Sequence, residues 1–403
     1  MNPGLNKLQP YPFERVRHLL NGIQANPALS SIALSVGEPR HPAPAFVLEE
    51  LARRLPGLSS YPSTQGIPEL RIAIARWVSR RFRLPVGTLH SETQVLPVNG
   101  TREALFSVTQ ALITPGSDSL VLMPNPGYQI YEGAAFLAGA QPYYLNCHEK
   151  NGFLPDLTAV PEAIWSRCQL LYLCSPGNPT GAVMDLTYLQ QVIALADRHN
   201  FIIAADECYS EIYPDENNPP PGLLEACIQN GRDDFRRCLV FHSLSKRSNL
   251  PGLRSGFVAG DAHLIAQFLR YRTYHGCAMS LPNQYASIAA WNDEAHVLAN
   301  RDLYRASFTT VLPILQTVLD VKAPAGSFYL WPRLPVDDEE FTVRLFRDGN
   351  VHVVPGSYLS RHAQQKNPGH GRARLSLVAQ PDVCRQAAER IQAILSGRNP
   401  AHT

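Results

Sequence analysis

Paired cysteines are the first thing this chain lacks. Eight cysteines are spread through 403 residues, none in a Cys-x-x-Cys spacing. That spacing would have suggested a zinc knuckle or a dithiol redox motif, so we expect reduced thiols in a cytoplasmic protein. Charge is also scarce. Charged residues make up 17% and the formal net charge is +2, which gives no electrostatic case for nucleic acid or a membrane surface as partner. No apolar run approaches the ~20 residues of a membrane span. The opening "MNPGLNKLQPYPFERV" has no apolar core of the kind a secretory signal needs. Internal repeats are absent, and the 34 prolines lie between elements rather than in one tract. What is abundant is apolar residues, at 45%. A chain of this length and composition buries a sizeable core and forms two or three domains, or one large α/β domain with a smaller companion.

Between about residues 95 and 260, short apolar runs alternate with stretches of helical periodicity. "TQVLPV" precedes "TREALFSVTQALI", and "SLVLM" precedes "YEGAAFLAGA". "QLLYLC" leads through "SPGNPTG" to "LTYLQQVIALADRH", and "FIIAAD" and "CLVFHS" follow. This alternation predicts a mostly parallel sheet flanked by helices. Beyond about residue 275, "NQYASIAAWNDEAHVLANRDLYRASFTTVLPIL" reads as one long helical stretch. "AGSFYLWPRL", "VHVVPGSYL" and "RARLSLV" then read as short antiparallel strands of a smaller α+β domain. We therefore expect an N-terminal arm and part of the small domain at 1–45, a large domain at 46–280 and a small domain at 281–403.

Ligands in open α/β sheets bind beyond the carboxyl ends of the strands, and polar clusters follow four of the apolar runs there. In "LVFHSLSKRSNLPGLRSGFVAG", a polar turn between two strands frames Lys246 with Ser243 and Ser245, and Arg254 follows. A loop lysine is usually only solvated, but one desolvated among cations is a nucleophile able to form a Schiff base with an aldehyde. Asp206 ends "FIIAAD" and can pair with a protonated pyridine nitrogen; a helix cap and a metal ligand are the other readings. Asn178 lies in a turn-rich segment, where a plain turn is the simpler account. Gly100, Thr101 and Arg102 open a helix directly after a strand, a place that favours phosphate, with no G-x-G-x-x-G or P-loop pattern beside them. Tyr128 can stack on a flat heterocycle or sit exposed in its loop. Arg374 can clamp a carboxylate in bidentate fashion, though Arg372 and Arg385 compete for that role. Taken together, the set suits pyridoxal 5'-phosphate and an amino acid.

On these residues the chain resembles the class I/II aminotransferases, the fold type I pyridoxal-phosphate enzymes. "SLSKRSNLPGLRSG", "SPGNPTG", "AADECYSEI" and "YPSTQGIPELR" follow one another in that family's pattern. The resemblance implies that Lys246 carries the internal aldimine and shuttles the substrate proton, and that Asp206 pairs with the pyridinium nitrogen. Asn178 and Tyr209 would hydrogen-bond the phenolic oxygen, and Tyr128 would stack on the ring. Gly100, Thr101, Arg102, Ser243, Ser245 and Arg254 would hold the phosphate, and Tyr61 would reach it from the second subunit of a homodimer. Arg374 would bind the α-carboxylate, with Asn178 and Gly37 in the same pocket.

The opening and "LSVGEPRHPAPAFV" look like the bacterial succinyldiaminopimelate transaminases of lysine biosynthesis. This implies a ping-pong exchange with glutamate and 2-oxoglutarate. Such a substrate carries extra carboxylates, for which Arg40 is a candidate cation. Three alternatives stay open: an aspartate, alanine or aromatic aminotransferase; a β-lyase on the same scaffold; and a ligand-sensing module without turnover.

Overall fold

The apolar runs of the central region are the strands of one seven-stranded sheet. The computed structural model describes residues 2–116 and 118–402. Across the sheet the strands are Val95–Val98, Gly256–Gly260, Cys238–Ser243, Ile202–Asp206, Cys168–Cys174, Leu120–Asn125 and Gln141–Asn146. All run parallel except Gly256–Gly260, which is antiparallel to both neighbours. Side chains of a strand alternate between faces, and the packing divides accordingly. Leu120, Leu122, Leu171, Leu173, Ile203 and Val240 fill one core. Val121, Met123, Leu170, Tyr172, Ala204 and Leu239 fill the core on the opposite face. Strands buried on both faces have to read as continuous apolar runs, which is how they appear in the sequence.

Helices return the chain between strands, and some helices of this unit start at a side-chain cap. Asp185 accepts from Tyr188 N at 2.7 Å to open Leu186–His199, and Asp261 accepts from His263 N at 2.8 Å to open Ala262–His275.

A smaller unit forms around a separate core that includes Leu34, Val311, Leu345, Leu375 and Ile391. Its antiparallel sheet has the order Val354–Pro355, Ala373–Ser376, Tyr329–Leu330. From the other end of the sequence, Ile32–Ala33 pairs in parallel with Val351–His352.

Two local readings of the sequence change. The segment expected as a polar turn is a helical turn, Leu244–Arg247, because the Ser243 hydroxyl accepts from Ser245 N at 3.0 Å and caps it. The long C-terminal helical stretch divides into Leu281–Asn292 and Ala295–Leu315, with Asp293 in extended conformation between them. The first of these helices packs against Ala45–Arg53 and Pro68–Arg81 and adds Trp291 to a core of the large sheet. We therefore propose that the large domain runs on to about Asn292, beyond the expected limit of 280.

Glu211, which follows the central strand, is buried between helices of both units. Its carboxylate meets Arg81 at 2.6 Å and Arg301 at 3.5 Å. Burial alone would push its carboxyl up, but Arg81, Arg247 and Arg301 outweigh that and hold it below the usual range. Removing one partner of a buried pair leaves uncompensated charge, at a cost of about 3–5 kcal/mol. Glu211→Gln is expected to lower the melting temperature at neutral pH. Because the folded carboxyl titrates below its unfolded value, the difference from wild type should shrink as pH falls below about 4. Melting curves at pH 7 and in acid check both points.

Candidate active site

Beyond the carboxyl ends of the strands lies a cavity of about 580 Å³. Its lining brings together Gly37, Thr101, Arg102, Tyr128, Asn178, Asp206, Tyr209, Ser243, Ser245, Lys246, Arg254 and Arg374. Gly100 stands directly behind. Its φ of +86° and the Arg254 guanidinium, against which a Cβ would collide, both require glycine. At Gly37 the limit is space alone, since a Cβ there would strike the Tyr329 hydroxyl.

Lys246 follows the strand Cys238–Ser243, and its Nζ donates to the Gly37 carbonyl at 2.5 Å. Burial, then the nearby Arg374 and Arg102, pull its ammonium down to about 8, against the raising effect of Cys208 and Glu38. Near neutral pH a share of this amine is therefore unprotonated.

Asp206 ends the central strand and is 4% exposed. Tyr131 Oη donates to its Oδ2 at 2.7 Å, and Cys208 N donates to its Oδ1 at 3.2 Å. Both donors are neutral. Among the described residues no Lys, Arg or His lies within 4.0 Å of this carboxylate. Burial accordingly pushes its carboxyl up.

Arg374 is buried in the antiparallel sheet. It donates from Nη1 to Asn178 Oδ1 at 3.1 Å and from Nη2 to Ser35 O at 2.6 Å. Its Nε is buried without a hydrogen-bond partner. Tyr209 Oη and Tyr329 Oη share a hydrogen bond at 2.8 Å, and burial followed by the Tyr329 hydroxyl raises the Tyr209 phenol.

The donor set fits pyridoxal phosphate at both of its charged ends. Thr101, Arg102, Ser243, Ser245 and Arg254 offer cations and hydroxyls around the start of the helix Thr101–Leu112, suited to a phosphate. Asp206 offers a desolvated anion without a cation, suited to a protonated ring nitrogen. A reactive amine and a buried guanidinium complete the cavity.

Two sequence candidates lie outside it. Tyr61 is fully exposed and does not line its own chain's cavity. Arg40 is also exposed, its backbone N–H bonded to Val378 O at 3.2 Å, and it is not among the residues that line this cavity. Sequence reasoning missed Tyr11, Phe13, Glu38, Cys208 and Tyr329, which do line the cavity. It also missed Tyr131, three residues after Tyr128, a spacing that places both on one side of a helix start.

Residues 30–391 match the family model of aminotransferase class I and II. The chain belongs to that family. It is 31% identical over 394 residues to an LL-diaminopimelate aminotransferase of Nitratidesulfovibrio vulgaris, covering 96% of this chain and 97% of the relative. A crystal structure of an aminotransferase from Neisseria meningitidis superposes with a TM-score of 0.93 at 48% identity, covering 97% and 99% of the two chains. A probable N-succinyldiaminopimelate aminotransferase from Thermus thermophilus superposes at 0.84 with 28% identity, covering 95% and 100%. The protein is a pyridoxal-phosphate-dependent aminotransferase of fold type I, in a family that uses amino acids and 2-oxo acids. No described helix is long and apolar enough to cross a membrane.

The depressed lysine gives a direct test on the cofactor-free protein. Reductive methylation of Lys246, followed by peptide mass spectrometry across pH, is expected to reach half its plateau near pH 8. Exposed lysines titrate at about 10.4. A Lys246 midpoint matching theirs would contradict the assignment of a desolvated amine.

Proposed function

We propose that this aminotransferase exchanges the amino group of N-succinyl-LL-2,6-diaminopimelate with that of glutamate, through 2-oxoglutarate, in the cytoplasm and as a homodimer. The observation that carries the site reading is the joint occurrence, in one cavity, of a depressed amine at Lys246, an unpaired buried carboxylate at Asp206 and a buried guanidinium at Arg374. Three things support the substrate class: the curated relative's name, the Thermus neighbour's name and the likeness of the N-terminal stretch.

When bound, pyridoxal phosphate supplies an aldehyde that condenses with amines and a ring that accepts electrons from the carbon being deprotonated. The chain's own groups then act as follows. The Arg374 guanidinium, which lines the cavity, would bind the substrate α-carboxylate and orient the α-carbon. The Lys246 amine takes the proton from that carbon and returns it one position away. Asp206 would hold the proton of the ring nitrogen in place by its charge. Asn178 and Tyr209 would donate hydrogen bonds to the ring hydroxyl, and Tyr128 would cover one ring face. Gly100, Thr101, Arg102, Ser243, Ser245 and Arg254 would hold the phosphate, joined by Tyr61 of the partner subunit. Tyr11 and Phe13 wall the cavity from solvent, with the Phe13 ring centroid 5.9 Å from the Arg374 guanidinium.

A donor panel with 2-oxoglutarate, read as glutamate formed, tests the substrate. N-succinyl-LL-2,6-diaminopimelate is expected to give the highest kcat/KM. A higher value with unsuccinylated LL-diaminopimelate would overturn the N-succinyl assignment. A higher value with aspartate, alanine or phenylalanine would overturn the diaminopimelate class. Pyruvate release from cystathionine without an oxo acid would indicate a β-lyase.

Arg374→Ala tests the carboxylate clamp. It is expected to lower kcat/KM by about 10²–10³-fold, the cost of leaving a desolvated charge unpaired, with cofactor absorbance retained. An unchanged kcat/KM would remove Arg374 from substrate binding.

A further inference from the structure

Tyr131 is a fully buried hydroxyl to which the mechanism above gives no role. Its ring lies on Tyr172, with centroids 4.3 Å apart and planes at 15°. The Tyr172 hydroxyl in turn donates to Leu105 O at 2.5 Å, on the helix that begins at Thr101. This leaves Tyr131 little freedom to turn. Its Oη donates to Asp206 Oδ2 at 2.7 Å, and its ring meets Tyr128 edge-on at 5.7 Å and 87°. One side chain thus touches both the acid expected to hold the ring proton and the aromatic expected to cover the ring.

We propose that Tyr131 is a positioning residue for the reaction, fixing the Asp206 carboxylate by a neutral hydrogen bond while bracing Tyr128 with its ring. The inference deepens the proposed site and rests on that reading. The chemistry favours a phenol here. Asp206 is buried without a cation, so a charged donor would neutralise it and weaken its hold on a protonated ring nitrogen. A phenol supplies direction without charge. The phenol stays protonated, because burial and the Asp206 charge raise it well above its ordinary range. The other groups facing Asp206 are the backbone N–H and thiol of Cys208 and, at longer range, His242. The Cys208 thiol also lies 3.0 Å from Thr101 Oγ1.

Tyr131→Phe removes the hydroxyl and keeps the ring. Losing a hydrogen bond to a charged group is expected to lower kcat by about tenfold, with KM changed less than about twofold. The pH midpoint of the bound cofactor's visible absorbance is expected to move up. An Asp206 that is more readily protonated leaves less positive charge on the ring, and the nearby imine proton is then held to higher pH. A merely structural hydroxyl would lower the melting temperature and leave that midpoint in place.

Borohydride trapping of wild type separates two kinds of failure. If wild type gives no cofactor adduct at Lys246, the site reading itself fails. If wild type does form the adduct, and Tyr131→Phe matches it in kcat and in absorbance midpoint, the role given to Tyr131 is wrong. Tyr131→Leu also removes the brace on Tyr128. It should show the same midpoint shift together with weaker cofactor binding; cofactor affinity equal to that of Tyr131→Phe would discard the brace.

Discussion

A carboxylate buried with only neutral donors is the constraint on which this cavity depends. Asp206 stands at the end of the middle strand of the large sheet, where desolvation costs several kcal/mol unless charge of the other sign arrives. The described residues bring none within ion-pair reach. A cationic heterocycle does, and the arrangement around Asp206 reads as provision for it. Hydroxyls and guanidinium groups collect at the phosphate end, and a further guanidinium, that of Arg374, lines the same cavity. The acid, the amine and the phosphate donors meet because they sit at neighbouring strand ends: Asp206 closes one strand, Lys246 lies just past the end of the next, and Arg254 stands just before the antiparallel one.

Much of this layout was visible in the sequence. Strands buried on both faces leave uninterrupted apolar runs, so "QLLYLC", "FIIAAD" and "CLVFHS" announced themselves, and the polar residues after them fell where ligands bind. The edge strand Gln141–Asn146 gave no such signal, because it is only partly buried, starts at an exposed glutamine and ends at an asparagine held by Asn125 and Ala363. The antiparallel course of Gly256–Gly260 was equally hidden, since apolar patterning carries no direction.

Residues brought to the cavity by long-range contact were harder still. Tyr329 is set by its hydrogen bond to Tyr209, and Tyr11 by the Arg102 guanidinium donating to its hydroxyl at 3.4 Å; neither follows from local spacing. Arg40 shows the converse: it is near Gly37 in sequence, yet its backbone bonds to Val378 and it does not line the cavity.

The first forty residues touch both units: Pro3–Lys7 packs against the helix Gln129–Leu137 of the large one, and later residues meet the smaller one. Ile32–Ala33 extends its strand pairing, and the Arg15 guanidinium lies 3.7 Å from the Tyr358 ring centroid. Arg374 reaches back 339 positions to the carbonyl of Ser35. Contacts of such separation form late, since loop closure precedes any reward from them. The first and last parts of the polypeptide, then, have to meet before the cavity has all its walls. A nascent chain released short of Arg374 would hold the sheet, the lysine and the acid, and still have no place for a substrate carboxylate.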